Sequence, residues 1–148
     1  MANCVCEVLV MEDPLTAASD GGSYNDADPI AGAIVDFWGV VRQLEDGREI
    51  EGIDYQSNRP MAEHQMRLIA GAAAENFGLK QVALHHRIGF VDAGEASLFL
   101  RVATSHRGAA FDASKWIVDE LKKKVPIWKK PRFKTPSHIR KIERVTAK

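Results

Sequence analysis

The chain has few of the residues from which redox and metal sites are built. Only two of its 148 residues are cysteines, Cys4 and Cys6. They lie two residues apart on a predicted strand and point to one face, but this spacing suits neither a CxxC redox pair nor a metal-binding quartet. His85 and His86 are adjacent on another predicted strand and point to opposite faces, so they cannot both bind one ion. We therefore expect reduced thiols and no metal site.

Long apolar runs and a secretory leader are also lacking. No stretch approaches the length of a membrane span, and the N-terminus has no basic region followed by an apolar segment. The sequence therefore predicts a cytoplasmic protein.

The short motifs that identify common nucleotide-binding and hydrolytic enzymes are absent too. The sequence contains no GxxxxGK[ST], GxGxxG, HExxH or GxSxG. Neither cysteine stands at a predicted helix start, where an activated nucleophile would be expected. No bound cofactor is predicted.

Positive charge is missing from the first quarter of the chain, although the net charge is zero. Residues 1–36 hold seven acidic residues and no Lys or Arg, whereas residues 121–148 hold eleven basic residues and one acidic residue. The C-terminal part is therefore a positive pole, whose partner can be a phosphate-bearing small molecule, an acidic protein tail or nucleic acid.

Hydrophobic periodicity and turn residues predict strands and two helices around one core, in one domain. Strands are expected at 4–11, 31–38, 40–44, 49–55, 81–88 and 95–104, helices at about 61–77 and 108–125, and a loop at 12–29. Asp46-Gly47 predicts a tight hairpin turn. Asn58 and Gly78 mark the ends of the first helix, and Ser105 is the predicted cap of the second.

The stretch from Leu121 to Lys130 is the first candidate site. It places five lysines around Val-Pro-Ile-Trp, and Pro126 should turn the chain after Val125. Asp119 and Glu120 are expected to pair with the lysines four residues later, whereas Lys122 has no such partner. Lys122 and Lys129 can then converge on one anion. Alternatively, these lysines only offset the negative end of the helix dipole on a solvated face.

The start of the second helix is another candidate site. Ser105-His106-Arg107-Gly108 leads from a strand into a helix, where free backbone N–H groups and the positive dipole end favour an anion. The alternative is an ordinary capped helix start with a solvated arginine.

Several separated motifs together resemble the catalytic, large subunit of molybdopterin synthase. The similarity runs from about residue 5 to residue 130, so we predict a domain at 1–130 and a basic C-terminal tail at 131–148. The motifs that carry it are Gly32-Ala33-Ile34-Val35, Phe37, Gly39 and Val41-Arg42; Met61-Ala62-Glu63; His86-Arg87-Ile88-Gly89; Gly94-Glu95; Ser105-His106-Arg107 with Ala110-Phe111; and Leu121-Lys122 with Val125-Pro126-Ile127-Trp128-Lys129-Lys130.

The resemblance implies a fold and an activity. The fold is an α+β "hammerhead" with a mainly antiparallel sheet and two main helices. The activity is that of a sulfurtransferase, which takes sulfur from the thiocarboxylated Gly-Gly C-terminus of a small ubiquitin-like carrier. The acceptor is cyclic pyranopterin monophosphate, which becomes the molybdopterin dithiolene. A homodimer binds one carrier at each end, giving a heterotetramer.

The resemblance also implies roles for individual residues. By position, Lys122 and Lys129 match the catalytic lysines, and the substrate-binding residues are matched by Arg42, His106, Arg107 and Lys130. We assign proton transfer or carrier contact to Lys122 and charge stabilisation to Lys129. The chain departs from the family pattern at Val40 and Pro131.

A non-catalytic module that binds a phosphate ligand or nucleic acid through the basic C-terminal end is the alternative function. The tail contains one aromatic residue, Phe133, and so lacks the interleaved stacking residues of a single-strand binder. Nucleic acid is therefore the less favoured partner.

Overall fold

The structure, a computed structural model, describes residues 4–22 and 31–135, which form eight strands and two α-helices. In chain order the elements are β1 (Val5–Met11), β2 (Ala33–Val40), β3 (Leu44–Glu45), β4 (Arg48–Ser57), α1 (Arg59–Phe77), β5 (Gln81–Arg87), β6 (Gly89–Asp92), β7 (Ala96–Thr104), α2 (Arg107–Lys124) and β8 (Ile127–Phe133). A short π-helical turn, Ala17–Gly21, follows β1. None of the helices in the described ranges is long and apolar enough to cross a membrane.

The main sheet has the strand order β1-β5-β7-β2. Only β1 and β5 are parallel, whereas β5–β7 and β2–β7 are antiparallel. Both helices pack on one face of this sheet, and the main core lies between them. Its fully or nearly fully buried members include Met66, Ile69, Val82, Leu84, Leu100, Val102 and Ile117. The α+β class with a mainly antiparallel sheet and two main helices is thus confirmed.

The ends of α1 are set by local sequence, as predicted. The Asn58 side chain accepts a hydrogen bond from the backbone N–H of Met61, and Pro60 occupies the first turn, where its missing N–H does no harm. Gly78 ends the helix with a left-handed φ of 63°.

The start of α2 differs from the prediction. Its N-cap is His106 rather than Ser105, and the His106 side chain makes no capping hydrogen bond. The helix is held instead by its apolar stripe, since Ala110, Ile117 and Leu121 are buried against the sheet.

A second, smaller sheet is built around β4, which pairs with β3, β6 and β8. Asp46 and Gly47 both have positive φ values, 53° and 74°, as a two-residue hairpin turn requires, so the hairpin is confirmed. β6 and β8 were not predicted. β6 has only four residues, and β8 contains Pro131, which argues against a strand in sequence terms.

Strand β8 also crosses the position at which we placed the end of the domain. It runs on from Lys130 through Phe133, which lies opposite Ile50 of β4. The rest of the predicted tail, residues 136–148, lies outside the described residues, as do residues 23–29 of the predicted loop.

The second face of the main sheet is covered by the first part of that loop, residues 12–22. His85 is buried there between two carboxylates: its Nδ1 lies 2.8 Å from Asp20 Oδ1 and its Nε2 lies 2.6 Å from Glu7 Oε1. Burial opposes ionisation of Asp20, but hydrogen bonds from Thr16, Ser19 and His85 hold the pKa of Asp20 below its usual value. His85 therefore fastens the loop to the sheet, and His86 points to the opposite face, as predicted.

Candidate active site

The C-terminal end of α2 and the start of β8 bring Lys122 and Lys129 to the same end of the fold. The helix stops at Lys124, and Val125 caps it by donating its N–H to the carbonyl of Leu121. Pro126 cannot continue the helix, and the chain enters β8 at Ile127. The predicted turn after Val125 is therefore confirmed.

Ion pairs explain two of the three lysines in the last turn of α2. Lys124 Nζ lies 2.7 Å from Glu120 Oε1, as predicted. Lys123 was predicted to pair with Asp119, and this is wrong. Its Nζ lies 3.7 Å from Glu120 Oε2, while Asp119 pairs at 2.8 Å with Lys115, one turn earlier on the same face.

Lys122 makes no ion pair within 4 Å among residues 4–22 and 31–135. Its side chain is exposed. A hydrogen bond from Lys115 is the main cause that lowers the pKa of Asp119, and the charges of Lys123 and Lys122 add to it. Lys122 thus stands at the helix end without an ion-pair partner of its own in the described part of the chain, which leaves its side chain available to an anion.

The strand pairing decides where Lys129 and Lys130 point. In the antiparallel register of β4 and β8, Lys129 lies opposite Tyr55 and Lys130 lies opposite Asp54. Lys129 shares the inner face of β8 with Ile127 and Phe133, which pack on the small core of this sheet. Lys130 points to the outer face. The two neighbouring lysines therefore cannot contact one small anion from the same side.

The inner face beside Lys129 contains two residues that sequence reasoning did not assign to the site, Tyr55 and His86. Their rings meet edge to face with centroids 5.4 Å apart. Burial raises the pKa of Tyr55, while burial and the nearby charge of Lys129 lower the pKa of His86 to about 4. His86 is therefore neutral near pH 7. The sequence carries two signals for His86, its adjacency to His85 on a strand and its place in the motif His86-Arg87-Ile88-Gly89, but neither one assigns it to the site.

His106 and Arg107 lie far from these lysines in the same chain. Both are exposed at the start of α2, whereas Lys122 lies near its end. Lys122 follows Arg107 by fifteen helical steps, which is roughly 22 Å along the axis at 1.5 Å per residue. One phosphate cannot touch both ends of the helix within a protomer.

Arg42 forms a third basic position. It follows β2, its side chain is 81% exposed, and its Nη2 lies 3.9 Å from Glu45 Oε2. The neighbouring Gln43 bonds to Ile50, five residues from Tyr55 along β4, which corresponds to about 17 Å of strand. The single chain thus keeps its predicted site residues in three separate places.

An apolar groove runs between the free edge strand β2 and the outer side of α2. It is lined by Val35, Phe37, Phe111 and Val118, among others, and Phe111 is 62% exposed. Large apolar side chains exposed together mark surfaces that associate with other chains. Within the described residues, no group of three or more His, Cys, Asp or Glu side chains is arranged to hold a metal ion.

Comparison with known proteins gives consistent matches. The model of the MoaE protein family matches residues 10–124, which includes Lys122 but not Lys129. The human molybdopterin synthase catalytic subunit is 37% identical over 109 residues, covering 74% of this chain and 58% of the human protein. Its counterpart from Thermoplasma volcanium is 39% identical over 102 residues, covering 69% of this chain and 74% of that protein.

A solved structure has the same fold. Molybdopterin synthase from Staphylococcus aureus superposes with a TM-score of 0.76 at 27% sequence identity, covering 84% of this chain and 90% of that chain. The chain spans a little more than half the length of the human relative.

Proposed function

The chain belongs to the MoaE protein family, and from this membership we propose that it is the catalytic subunit of a molybdopterin synthase. It transfers sulfur from the thiocarboxylated C-terminus of a small carrier subunit to cyclic pyranopterin monophosphate, forming the dithiolene of molybdopterin. The observation that carries the proposal is the junction of α2 and β8, where Lys122 and Lys129 lie at one end of the fold without ion-pair partners in the described part of the chain.

The charge of this junction suits the reaction. Both reactants are anionic, one as a phosphate and the other as a thiocarboxylate, so their approach is opposed by repulsion that two ammonium groups offset. Lys129 stabilises the developing negative charge, and Lys122 contacts the carrier or transfers a proton. The sulfur arrives with the carrier, so the subunit needs no cysteine in the site. Cys6 lies on β1, at the edge of the main sheet, and Cys4 immediately precedes this strand.

A homodimer would reunite the separated substrate-binding residues. Within one chain, Arg107 and Lys122 are about 22 Å apart along α2. A two-fold partner can bring its own His106 and Arg107 to the lysines of the first chain, and the groove between β2 and α2 offers an apolar surface for this contact. Arg42 and Lys130 remain proposed substrate contacts, Lys130 from the outer face of β8.

We also propose that the chain binds a small carrier, forms a heterotetramer with it and is located in the cytoplasm. Residues 131–148 are proposed to be a basic C-terminal tail. One carrier would bind at each end of the dimer, with its Gly-Gly terminus reaching the lysines. Free cysteines suit the reducing environment of the cytoplasm.

The decisive experiment is reconstitution. The purified chain, thiocarboxylated carrier and cyclic pyranopterin monophosphate are mixed, and the dithiolene product is measured. Product that depends on all three components supports the proposal. No product, together with nucleic-acid binding that weakens steeply as salt is added and no carrier binding, would support the binding-module alternative.

A further inference from the structure

Ser57, the last residue of β4, has a buried hydroxyl group with nothing to bond. Its Oγ is the only buried side-chain nitrogen or oxygen in residues 4–22 and 31–135 that lacks a hydrogen-bond partner. Buried polar groups are nearly always paired, because an unpaired one is left without the hydrogen bonds that water would supply. An unpaired hydroxyl therefore points to a partner that arrives later.

The strand register places this hydroxyl beside Lys129. Ser57 lies opposite Ile127, and Tyr55 lies opposite Lys129. Side chains two residues apart on a strand share a face, so Ser57 and Lys129 are diagonal neighbours on the inner face, with Cβ atoms somewhat less than about 7–8 Å apart. The long, flexible lysine side chain can span such a distance.

His86 offers a second acceptor on the same side. Its Nδ1 lies 2.8 Å from the carbonyl oxygen of Arg87, which can only accept, so Nδ1 carries the proton. Because burial and the charge of Lys129 lower the pKa of His86 to about 4, the ring is neutral and Nε2 has a free lone pair. The ring also contacts Tyr55, the residue opposite Lys129.

We propose that Ser57 and His86 are positioning residues for Lys129, and that Ser57 Oγ and His86 Nε2 accept two of its three N–H groups when the reactants cover the site. This inference rests on the proposed function, in which Lys129 stabilises negative charge. In the free subunit, Lys129 is exposed and water satisfies its ammonium group. When the carrier terminus and the pterin exclude water, the ammonium group loses its hydrogen bonds to water. It then needs new hydrogen-bond acceptors, because a buried charge without partners is strongly destabilised.

Neutral acceptors fit this role better than carboxylates would. A serine hydroxyl and an uncharged imidazole fix the direction of the ammonium group without cancelling its charge. The third N–H then points at the anionic reactant with its electrostatic effect intact.

Ser57→Ala gives the sharpest test, because a structural role and a positioning role predict opposite results. Removal of an unpaired buried hydroxyl should leave the melting temperature unchanged or raise it. At saturating pterin and thiocarboxylated carrier, the single-turnover rate should nevertheless fall about tenfold. Ser57→Thr, which keeps the hydroxyl, should restore most of the rate. Ser19→Ala, on the opposite face of the main sheet, is the matched control and should keep the full rate.

His86 is tested in the same assay. His86→Phe keeps an aromatic ring against Tyr55 but removes the acceptor, and its rate should also fall about tenfold. His86→Gln carries an amide oxygen that can replace Nε2 and should recover part of the rate. In the Lys129→Ala background, Ser57→Ala should have no further effect on the residual rate or on pterin affinity, because the group that it positions is gone.

The outcomes separate this inference from the proposed function. Loss of activity in Lys129→Ala together with full activity in Ser57→Ala and His86→Phe overturns the positioning role and leaves the function standing. A parallel fall of rate and melting temperature in Ser57→Ala also overturns it. Full activity of Lys129→Ala also overturns it, because the group to be positioned would then be dispensable. Failure of the parent chain to form the dithiolene from carrier and pterin, by contrast, overturns the proposed function itself.

Discussion

Lys129 lies directly opposite Tyr55 in the antiparallel pairing of β8 with β4. The pairing turns Lys129 toward the inner face of the small sheet and sends its neighbour Lys130 to the outer face. Lys129 and Lys122, which lies at the end of α2, thus both belong to the junction of α2 and β8.

The first prediction separates these two lysines from the rest of the basic helix end. Lys122→Ala and Lys129→Ala should each abolish most dithiolene formation in a single turnover, while the chain still folds, because alanine removes only the ammonium group. Lys123→Ala is the control. Its exposed side chain forms only a long pair with Glu120, worth a few tenths of a kcal/mol, so activity should change little. Equal and mild losses in all three variants would contradict the catalytic roles.

The second prediction distinguishes the roles of the two lysines. Arginine keeps the positive charge but cannot release a proton at ordinary pH. Lys122→Arg should therefore remain inactive if Lys122 transfers a proton, and Lys129→Arg should retain partial activity if Lys129 supplies charge. The single-turnover rate with preformed thiocarboxylate measures both. Full activity of Lys122→Arg would rule out proton transfer by this residue.

The third prediction concerns the start of α2. Arg107→Ala should weaken the binding of cyclic pyranopterin monophosphate by about 1.5–3 kcal/mol, the range for a charged hydrogen bond, with little loss of folding stability. Calorimetric titration measures the affinity. Arg67→Ala, which removes another exposed arginine paired with Glu63 on α1, should leave the affinity unchanged. An unchanged affinity with a lower melting temperature in Arg107→Ala would indicate a purely structural helix start.

The fourth prediction tests the proposed dimer. Phe111→Glu places a charge in the groove between β2 and α2 and should convert the dimer into a monomer, because burying an unpaired carboxylate at an interface is strongly unfavourable. Leu68→Glu changes a similarly exposed residue, 54% against 62%, on α1 and should leave the dimer intact. Light scattering after size-exclusion chromatography measures the mass. A Phe111→Glu dimer would remove this groove from the interface.

The fifth prediction follows from the buried His86. Its pKa is lowered from about 6.5 to about 4 in the folded chain, so between these values the unfolded chain binds more protons at this site. The free energy of unfolding should therefore decrease as pH falls through this window, by about 2–3 kcal/mol at pH ~4.5.

Urea titrations near pH 7 and pH 4.5 measure the free energy of unfolding of the parent chain and of His86→Phe, and the difference between them isolates the contribution of His86. Between the two pH values, the free energy of unfolding of His86→Phe should decrease by about 2–3 kcal/mol less than that of the parent chain. Identical slopes for the parent and His86→Phe would contradict a buried neutral His86.

Local chemistry made several elements predictable. Asn58, Pro60 and Gly78 bound α1 through contacts within one helical turn, and Asp46-Gly47 forms its hairpin through its own dihedral preferences. Lys124 found its predicted partner because Glu120 lies one turn away. Asp119 has one lysine four residues before it and another four residues after it, and the spacing alone could not choose between them.

By itself, the sequence determined the two helices, most of the strands, the basic end of α2 and the family that the motifs resemble, since each depends on residues close together in the chain. Only the tertiary structure decided that β8 pairs with β4 across some seventy residues, and that this pairing directs Lys129 inward and Lys130 outward. It also placed Ser57, His86 and Lys129, from three different strands, on one side of the site. These relationships depend on register and packing between distant segments, and residue spacing along a single segment carries no information about them.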